Sequence, residues 1–269
     1  MGTLLLVHAH PDDEAIATGG VMMKAKEDGH RVVLVTATRG EEGEIHTMDE
    51  EATRPHLAEV RTDELRRAGE ILGVDRQEFL GYRDSGMVGT PQNENPMSFH
   101  KASLDEAAGR LAAIMREERP DVVVTYGADG TYGHPDHIKA HHVTNAAFDI
   151  LERERKAPRK LYYNAIPKEM MEQFQERIAE EARAAGNEPR SFTIPGTPFV
   201  EITAHIDVKK NVFKKRDAFA VHVTQNDPKG PFTTMASSIY ELAFGTEYFV
   251  LARGKPGSPL PEADLFAGI

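Results

Sequence analysis

Apolar residues in the first half of the chain occur in short unbroken runs, which alternate with longer stretches of helical spacing. The runs at residues 4–8, 31–38 and 122–126 are rich in leucine and valine. Unbroken apolar runs of this length are typical of strands that are buried on both faces of a parallel sheet. We predict two further strands at residues 78–80 and 160–164.

The stretches between these strands predict helices. One covers residues 14–29, and another carries Leu65 and Leu72 on one face and ends at Gly73, a residue type favoured just after a helix. Ser103 and Glu106 form a capping box that opens a third helix, and residues 136–155 predict a fourth. Strand and helix alternating in this way predict a Rossmann-like, doubly wound α/β fold with a mainly parallel sheet.

The second half of the chain has a less regular pattern. We predict a charged helix at residues 169–185, a strand at 199–206, a helix at 208–220 and a strand at 248–252. The composition shows no linker, so we predict a single domain over residues 1–269. Its core is residues 1–165, and residues 166–269 form an α/β extension whose last six residues dock back on the body.

Composition limits the classes of partner. The chain has 269 residues, 40% of them hydrophobic, and a net charge of −11. This charge argues against nucleic acid or an anionic membrane as the main partner, and favours a small molecule. The N-terminal apolar run is too short for a signal peptide or a membrane span, which predicts a cytoplasmic protein. The sequence leaves a homo-oligomer open.

Histidine and acidic residues are concentrated in two segments that each follow a predicted strand. The chain has 12 His and 0 Cys, so any metal must be held by nitrogen and oxygen ligands. The segments are His10-Pro11-Asp12-Asp13-Glu14 and His134-Pro135-Asp136-His137. Ligand sites of doubly wound sheets lie at the carboxyl ends of strands where the strand order reverses, so we expect these segments to converge. Two imidazoles and a carboxylate suit zinc, and equally non-haem iron, and the zinc chemistry predicts a hydrolase.

Each segment also has a simpler interpretation. Acidic residues after a strand are commonly helix caps, and Asp12 and Asp13 are also favoured at a helix N-terminus by the helix dipole. We expect His8 to be a core or supporting residue. His141, four residues after His137, is an alternative ligand, but we expect it to support the site or to lie on the surface. The chain has neither the G-x-S-x-G pattern of serine hydrolases nor a G-x-G-x-x-G nucleotide motif.

Three segments together resemble the LmbE/PIG-L superfamily of zinc-dependent de-N-acetylases. They are residues 9–14, the stretch Gly40-Glu41-Glu42-Gly43-Glu44 and residues 132–137. Residues 83–87 further resemble the mycothiol-pathway deacetylase branch. Residues 160–163, 222–225 and 265–269 resemble the mycothiol S-conjugate amidase branch, and the two branches stay open.

The resemblance implies roles for individual residues. It implies that His10, Asp13 and His137 hold zinc, that Asp12 is the general base, and that Arg61, Asp84 and, more loosely, Glu41 contact a sugar. Amide hydrolysis also needs a proton donor and stabilisation of the oxyanion. His134 is our candidate for the proton donor, with Asp136 orienting it or raising its pKa. Tyr132 is the candidate for the oxyanion.

Three functions follow as hypotheses. The first is a hydrolase that removes an N-acyl group, in the simplest case acetyl, from a glucosamine-containing small molecule. The second is an amidase that removes a larger acyl group, such as a cysteinyl conjugate, from the same amine. The third is a non-catalytic sugar-binding protein, which has no need of the carboxylate at Asp12. An iron-dependent oxygenase would share the ligand types, but no site for a 2-oxo acid is indicated.

Overall fold

A seven-stranded sheet runs through the protein, in the order β3-β2-β1-β4-β5-β7-β6. The structure is a computed structural model that describes residues 1–184 and 196–269. The strands are β1 (Thr3–His8), β2 (Arg31–Thr36), β3 (Arg76–Phe79), β4 (Val122–Tyr126), β5 (Lys160–Ala165), β6 (Ala204–Asp207) and β7 (Thr246–Arg253).

The first five strands are parallel, whereas β7 and β6 are antiparallel to their neighbours. The predicted α/β class with a mainly parallel sheet is therefore confirmed. Alternate residues of β1 face opposite sides of the sheet, so Leu4 and Leu6 enter one buried cluster while Leu5 and Val7 enter the other. This double burial explains why the strand runs show no polar alternation.

Helices cover both faces of the sheet. Helices α2, α4 and α9 pack on the face of Leu4, and helices α5 and α7 pack on the face of Leu5. The helices are α1 (Asp13–Ala17), α2 (Gly19–Glu27), α3 (Glu50–Thr53), α4 (Leu57–Leu72), α5 (Leu104–Glu118), α6 (Gly130–Gly133), α7 (Pro135–Arg153), α8 (Lys168–Ala184), α9 (Val212–Ala220), α10 (Pro231–Thr234) and α11 (Ser237–Phe244). None of the helices in these described ranges combines the length and apolar character needed to cross a bilayer.

Three predicted elements differ from the structure. The helix expected at 14–29 is two helices, broken at Thr18, because a buried carboxylate accepts the backbone N–H groups that open α2. The strand expected at 199–206 begins as a 3₁₀ turn, Phe199–Glu201, and only Ala204–Asp207 pairs with β7. The helix expected at 208–220 likewise begins with a 3₁₀ turn, Lys209–Asn211.

Other boundaries move by one or two residues. Residue 185, the predicted end of the charged helix, lies outside the described residues.

The extension is joined to the core through buried charged groups. Glu247 of β7 accepts the N–H groups of Gly20 and Val21 at 2.8 Å each, and it pairs with Lys215 of α9 at 2.7 Å. A carboxylate at a helix N-terminus is favoured by the unpaired N–H groups and the helix dipole. We therefore propose that residues 1–165 do not fold independently of the extension, in keeping with one domain.

Glu247→Ala should lower the free energy of unfolding by about 3 kcal/mol or more, because Lys215 would remain as a buried unpaired charge and two N–H groups would lose their acceptor. Denaturant unfolding followed by circular dichroism measures this change. Glu59→Ala on the exposed face of α4 is the matched control, with an expected change within about 0.5 kcal/mol. Equal small changes in both variants would contradict this role of Glu247.

Candidate metal centre

The two histidine-rich segments meet where β1 and β4 lie side by side. After β1 the chain builds outward through β2 and β3, and it then returns to the other side of β1 to form β4. Such a reversal leaves a crevice beyond the carboxyl ends of the two central strands. The first segment follows β1, and the second follows β4 across a loop rich in glycine. The predicted convergence of the two segments is confirmed.

Asp13 lies between the histidines of both segments. Its Oδ2 is 3.4 Å from His10 Nδ1, and its Oδ1 is 3.3 Å from His137 Nε2. Ligand atoms around a tetrahedral zinc ion are separated by about 3.3 Å, given bonds of about 2.0–2.2 Å. The Asp13 carboxylate also accepts hydrogen bonds from the backbone N–H of His10, at 2.9 Å, and from the hydroxyl of Tyr126, at 2.7 Å.

The hydrogen bonds of His137 leave one ring nitrogen available for a cation. Its Nδ1 lies 3.2 Å from the carbonyl oxygen of Gly130, which can only accept, so Nδ1 must carry the proton. Its Nε2 is buried and has no hydrogen-bond partner among the described residues. A histidine ligand normally donates its second N–H in this way. The residues present therefore fit a metal ion at His137 Nε2.

His10 is arranged in the same manner. Its Nε2 lies 3.2 Å from Asp136 Oδ2, a carboxylate oxygen that accepts, which leaves Nδ1 to face Asp13. Burial opposes a positive charge on His10, but Asp84, Asp13 and Asp136 outweigh it and raise the pKa of the imidazole well above its usual range. The pocket thus concentrates negative charge, as a divalent cation requires.

His134 is also close enough to hold a metal ion, but its hydrogen bonds favour another role. Ligand atoms of His10, His134 and His137 all lie within 4.8 Å of one another. The Nδ1 of His134, however, accepts the backbone N–H of Asp136 at 3.1 Å. The neutral ring must then carry its proton on Nε2, which makes this atom a donor and not a ligand.

The Asp136 side chain does not orient His134, as one form of the prediction required. The Asp136 carboxylate instead accepts from the backbone N–H of Ser85 at 2.9 Å, from the Ser85 hydroxyl and from His10. Burial, together with the nearby His10 and His137, lowers the pKa of His134 to about 4 and outweighs the carboxylates of Asp136 and Asp84, which raise it. Asp136 thus orients His10, and its backbone orients His134.

Asp12 has an unusual backbone conformation, and its side chain does not cap the helix that follows. Its φ is 118°, a value that a residue with a Cβ adopts only under constraint, and its carboxylate makes no capping hydrogen bond to α1. Capping therefore does not account for Asp12. Burial raises the pKa of Asp12 to about 6, although Arg61, 3.3 Å away, opposes this shift.

Arg61 is buried beneath this turn. Its guanidinium donates to the carbonyl oxygens of Pro11 and, at 2.8 Å, of Gly40. A Cβ at Gly40 or Gly43 would lie 2.1 or 2.3 Å from the guanidinium, which explains why glycine occupies both positions of the Gly40–Glu44 motif. In the structure Arg61 supports the turn, and its predicted contact with a sugar stays a prediction.

The other two predicted sugar contacts lie next to each other. Asp84 is buried and accepts the N–H groups of Gly86, at 2.9 Å, and Glu42, at 3.3 Å, while its Oδ1 lies 3.6 Å from His10 Nε2. Glu41 accepts the backbone N–H of Asp84 at 3.1 Å. Both carboxylates retain lone pairs for a hydroxyl group of a ligand.

Tyr132 lies on the loop that leads to His134. The preceding residue, Thr131, has a φ of 70°, and the Tyr132 ring packs edge-on against His137, with centroids 4.9 Å apart. Loss of solvent around the hydroxyl, with the negative charges of Asp13 and Asp12, raises the pKa of Tyr132. The hydroxyl therefore stays protonated and can donate to an oxyanion.

His8 and His141 support the site from outside it. His8 contacts the Tyr126 hydroxyl at 3.2 Å, and that hydroxyl in turn donates to Asp13, as expected of a supporting residue. His141 contacts the carbonyl oxygen of Tyr126 at 3.0 Å and belongs to neither of the candidate metal groups among the described residues.

Sequence reasoning did not assign four residues that hold the site together. They are Tyr126, Ser85, Glu14 and His222. From the sequence, Tyr126 is recognisable only as the last residue of a predicted strand. The other three lie in the segments 83–87, 10–14 and 222–225 described above.

At the switch point of this doubly wound sheet, beside a carboxylate that caps no helix, histidine and carboxylate groups lie close enough to hold a metal ion. The model of the family described as PIG-L, GlcNAc-PI de-N-acetylase, matches residues 5–148. The chain belongs to this family, which confirms the resemblance. It is a hydrolase of the N-deacetylase type, so the alternative of a non-catalytic sugar-binding protein is wrong.

Relatives match over almost the entire chain. The protein from Acidothermus cellulolyticus named 1D-myo-inositol 2-acetamido-2-deoxy-alpha-D-glucopyranoside deacetylase is 45% identical, over 99% of this chain and 95% of its own length. The protein of that name from Thermobifida fusca is 42% identical, over 98% of each chain. Among solved structures, N,N'-diacetylchitobiose deacetylase from Pyrococcus horikoshii shares the fold, with a TM-score of 0.61 at 22% identity over 93% of this chain and 83% of that one.

His137→Ala should lower the bound metal to well under one ion per chain, whereas His134→Ala should leave it largely intact. Of these two histidines, only His137 presents an unprotonated nitrogen to the ion. Metal analysis of the purified proteins after dialysis measures this difference. Asp13→Ala is a second ligand variant and should resemble His137→Ala. Equal loss from the two histidine variants would make His134 a ligand.

Asp12→Gly should have a free energy of unfolding about 1 kcal/mol higher than that of Asp12→Ala, because glycine adopts a positive φ without strain. Denaturant unfolding measures this difference. The comparison is made in metal-free protein, where both variants lack the same carboxylate. Asp63, exposed within α4, is the control position, since alanine should there be the more stable variant by about 1 kcal/mol. The same order at both positions would show that residue 12 is not strained.

Proposed function

We propose that this protein is a zinc-dependent hydrolase that removes the N-acetyl group from a glucosamine unit within a small glycoside. The observation that carries the proposal is the buried Nε2 of His137, which has no hydrogen-bond partner in the described part of the chain and faces Asp13, next to an Asp12 carboxylate that does not cap α1. We propose His10, Asp13 and His137 as the ligands, and ferrous iron suits the same set. When bound, the ion would polarise the amide carbonyl and lower the pKa of the attacking water.

Asp12 is the proposed general base. Its carboxylate is part-buried, and burial raises its pKa to about 6. A base in this range accepts a proton from water effectively. Arg61 donates to Oδ2 of the same carboxylate at 3.3 Å, which leaves Oδ1 as the oxygen that can accept the proton.

His134 and Tyr132 are proposed to act on the scissile amide. The neutral His134 presents an Nε2–H group that can donate a hydrogen bond to the departing amine, and the proton that the amine finally gains is the one that Asp12 takes from the attacking water. The protonated hydroxyl of Tyr132 would donate to the oxyanion. Asp136 is proposed to act indirectly, through His10 and through its own backbone N–H.

The substrate is proposed from the relatives. Proteins 45% and 42% identical to this chain are named as deacetylases of 1D-myo-inositol 2-acetamido-2-deoxy-alpha-D-glucopyranoside, so we propose this glycoside. The amidase alternative remains as the second candidate, because residues 222–225 resemble that branch and lie directly behind the site. A cytoplasmic location and the oligomeric state stay predictions.

Asp12→Asn should retain the metal but lose about 10²–10⁴-fold in kcat, because an amide cannot accept the proton of the attacking water. The assay measures released amine from the N-acetylglucosaminyl inositol, free N-acetylglucosamine and a cysteinyl-glucosaminyl conjugate. Wild-type enzyme should prefer the first, and chelator should abolish its activity. Preference for the conjugate would favour the amidase, and full activity of metal-free enzyme would overturn the metal assignment.

Arg61→Ala and Asp84→Ala test the proposed sugar contacts. If these side chains bind hydroxyl groups, both variants should lose more in kcat/KM for the inositol glycoside than for a minimal acetamide, because a buried polar partner would be left unpaired. Glu41→Ala is the third variant in the series. Equal losses on every substrate would assign Arg61 and Asp84 to support of the turn and of His10.

A further inference from the structure

The peptide bond between Pro11 and Asp12 is held at both ends by charged side chains. Its carbonyl oxygen accepts from the buried guanidinium of Arg61, and its N–H donates to Glu14 Oε2 at 2.8 Å. Glu14 is fully buried, and its other oxygen, Oε1, lies 2.8 Å from His222 Nε2, which is also fully buried. The peptide plane is therefore fixed between a cation and an anion.

The orientation of this peptide determines where the Asp12 carboxylate lies. The φ angle of Asp12 describes rotation about the bond next to the held N–H, and its value of 118° costs on the order of 1–3 kcal/mol in a residue other than glycine. Such a conformation persists only where the surrounding structure imposes it. Arg61 and Glu14 are the groups that impose it here.

We propose that Glu14 and His222 are positioning residues, which clamp the Pro11–Asp12 peptide so that the carboxylate of Asp12 meets the attacking water. This inference rests on the proposed function only in giving Asp12 the role of base. Neither residue needs to touch the substrate. His222 belongs to the extension, so the extension contributes to the site through Glu14.

Charge supports the pairing of these two residues. Burial would lower the pKa of His222, but the carboxylate of Glu14 outweighs burial and raises it, and the two side chains meet through His222 Nε2 and Glu14 Oε1. The segment is held in place two residues later, where Thr224 donates its N–H and hydroxyl to the buried Glu64 of α4, at 2.8 Å each. His222 is thus a fixed support for Glu14.

The test compares Glu14→Ala with Glu14→Gln in metal-loaded enzyme. Alanine removes the acceptor of the Asp12 N–H, and kcat per bound metal should fall about 100-fold with KM changed less than about threefold, because small misplacements of a catalytic group cost about that much. Glutamine retains an acceptor oxygen and presents an amide to neutral His222, so kcat should stay within about tenfold of wild type. His222→Gln and His222→Leu form the corresponding pair, with the larger loss in leucine.

Glu262→Ala is the matched control. Glu262 is also a buried carboxylate that accepts a backbone N–H, of Gly257 at 2.8 Å, and pairs with a buried cation, Lys160 at 2.8 Å. Lys160 is the first residue of β5, so this pair lies at the amino ends of the parallel strands, about 17 Å from the carboxyl end of β5, where the site is. Its removal should lower the melting temperature and leave kcat per bound metal unchanged.

The crystal structure of Glu14→Ala gives a readout independent of activity. Asp12 should leave the positive-φ region, or the peptide should rotate, while His10 and His137 keep their places. An unmoved peptide, or a loss of kcat no larger than in Glu262→Ala, would overturn the clamp. If wild-type enzyme hydrolyses none of the amides, the proposed function fails, and the position of this peptide alone decides the inference.

Discussion

One hydrogen-bonded hydroxyl connects the two halves of the site. Tyr126 is the last residue of β4, and its hydroxyl accepts the N–H of Ala9 and donates to the carboxylate of Asp13. The loop after β1 is thereby fastened to the end of its neighbouring strand. Because α7 begins shortly after the same strand, the distance between Asp13 and His137 follows from this contact. The cation pocket therefore depends on strand pairing and on a single phenol group.

The order of strands and the place of the site were predictable because both depend on local patterns. Unbroken apolar runs identify strands buried on two faces, and parallel strands require their polar ends to share one edge. Two histidine-rich segments after two such runs then had to meet. Irregular elements were less predictable: the breaks before Gly19 and after Phe199 depend on partners distant in the sequence, such as Glu247, which no periodicity shows.

The roles of individual site residues were predictable only in part, because they depend on which hydrogen-bond partner each ring nitrogen meets. His134 and His137 are three residues apart, so spacing alone does not separate a ligand from a proton donor, and only the family resemblance assigned them different roles. A backbone N–H reaches one ring and a backbone carbonyl reaches the other, which gives them opposite protonation patterns. Spacing alone also suggested that Asp136 serves His134, whereas its carboxylate turns toward Ser85 and His10.

The geometry of the turn at Asp12 requires contributions from three distant parts of the chain. Arg61 comes from α4, Gly40 and Gly43 leave space for its guanidinium, and His222 supports Glu14 from the extension. A base must be ionised, close to water and unable to relax into an ordinary helix cap. A part-buried carboxylate on a strained backbone meets these conditions only while both ends of the preceding peptide are held. The extension is thus part of the same chemical unit as the core, although none of its residues reaches the cation pocket among those described.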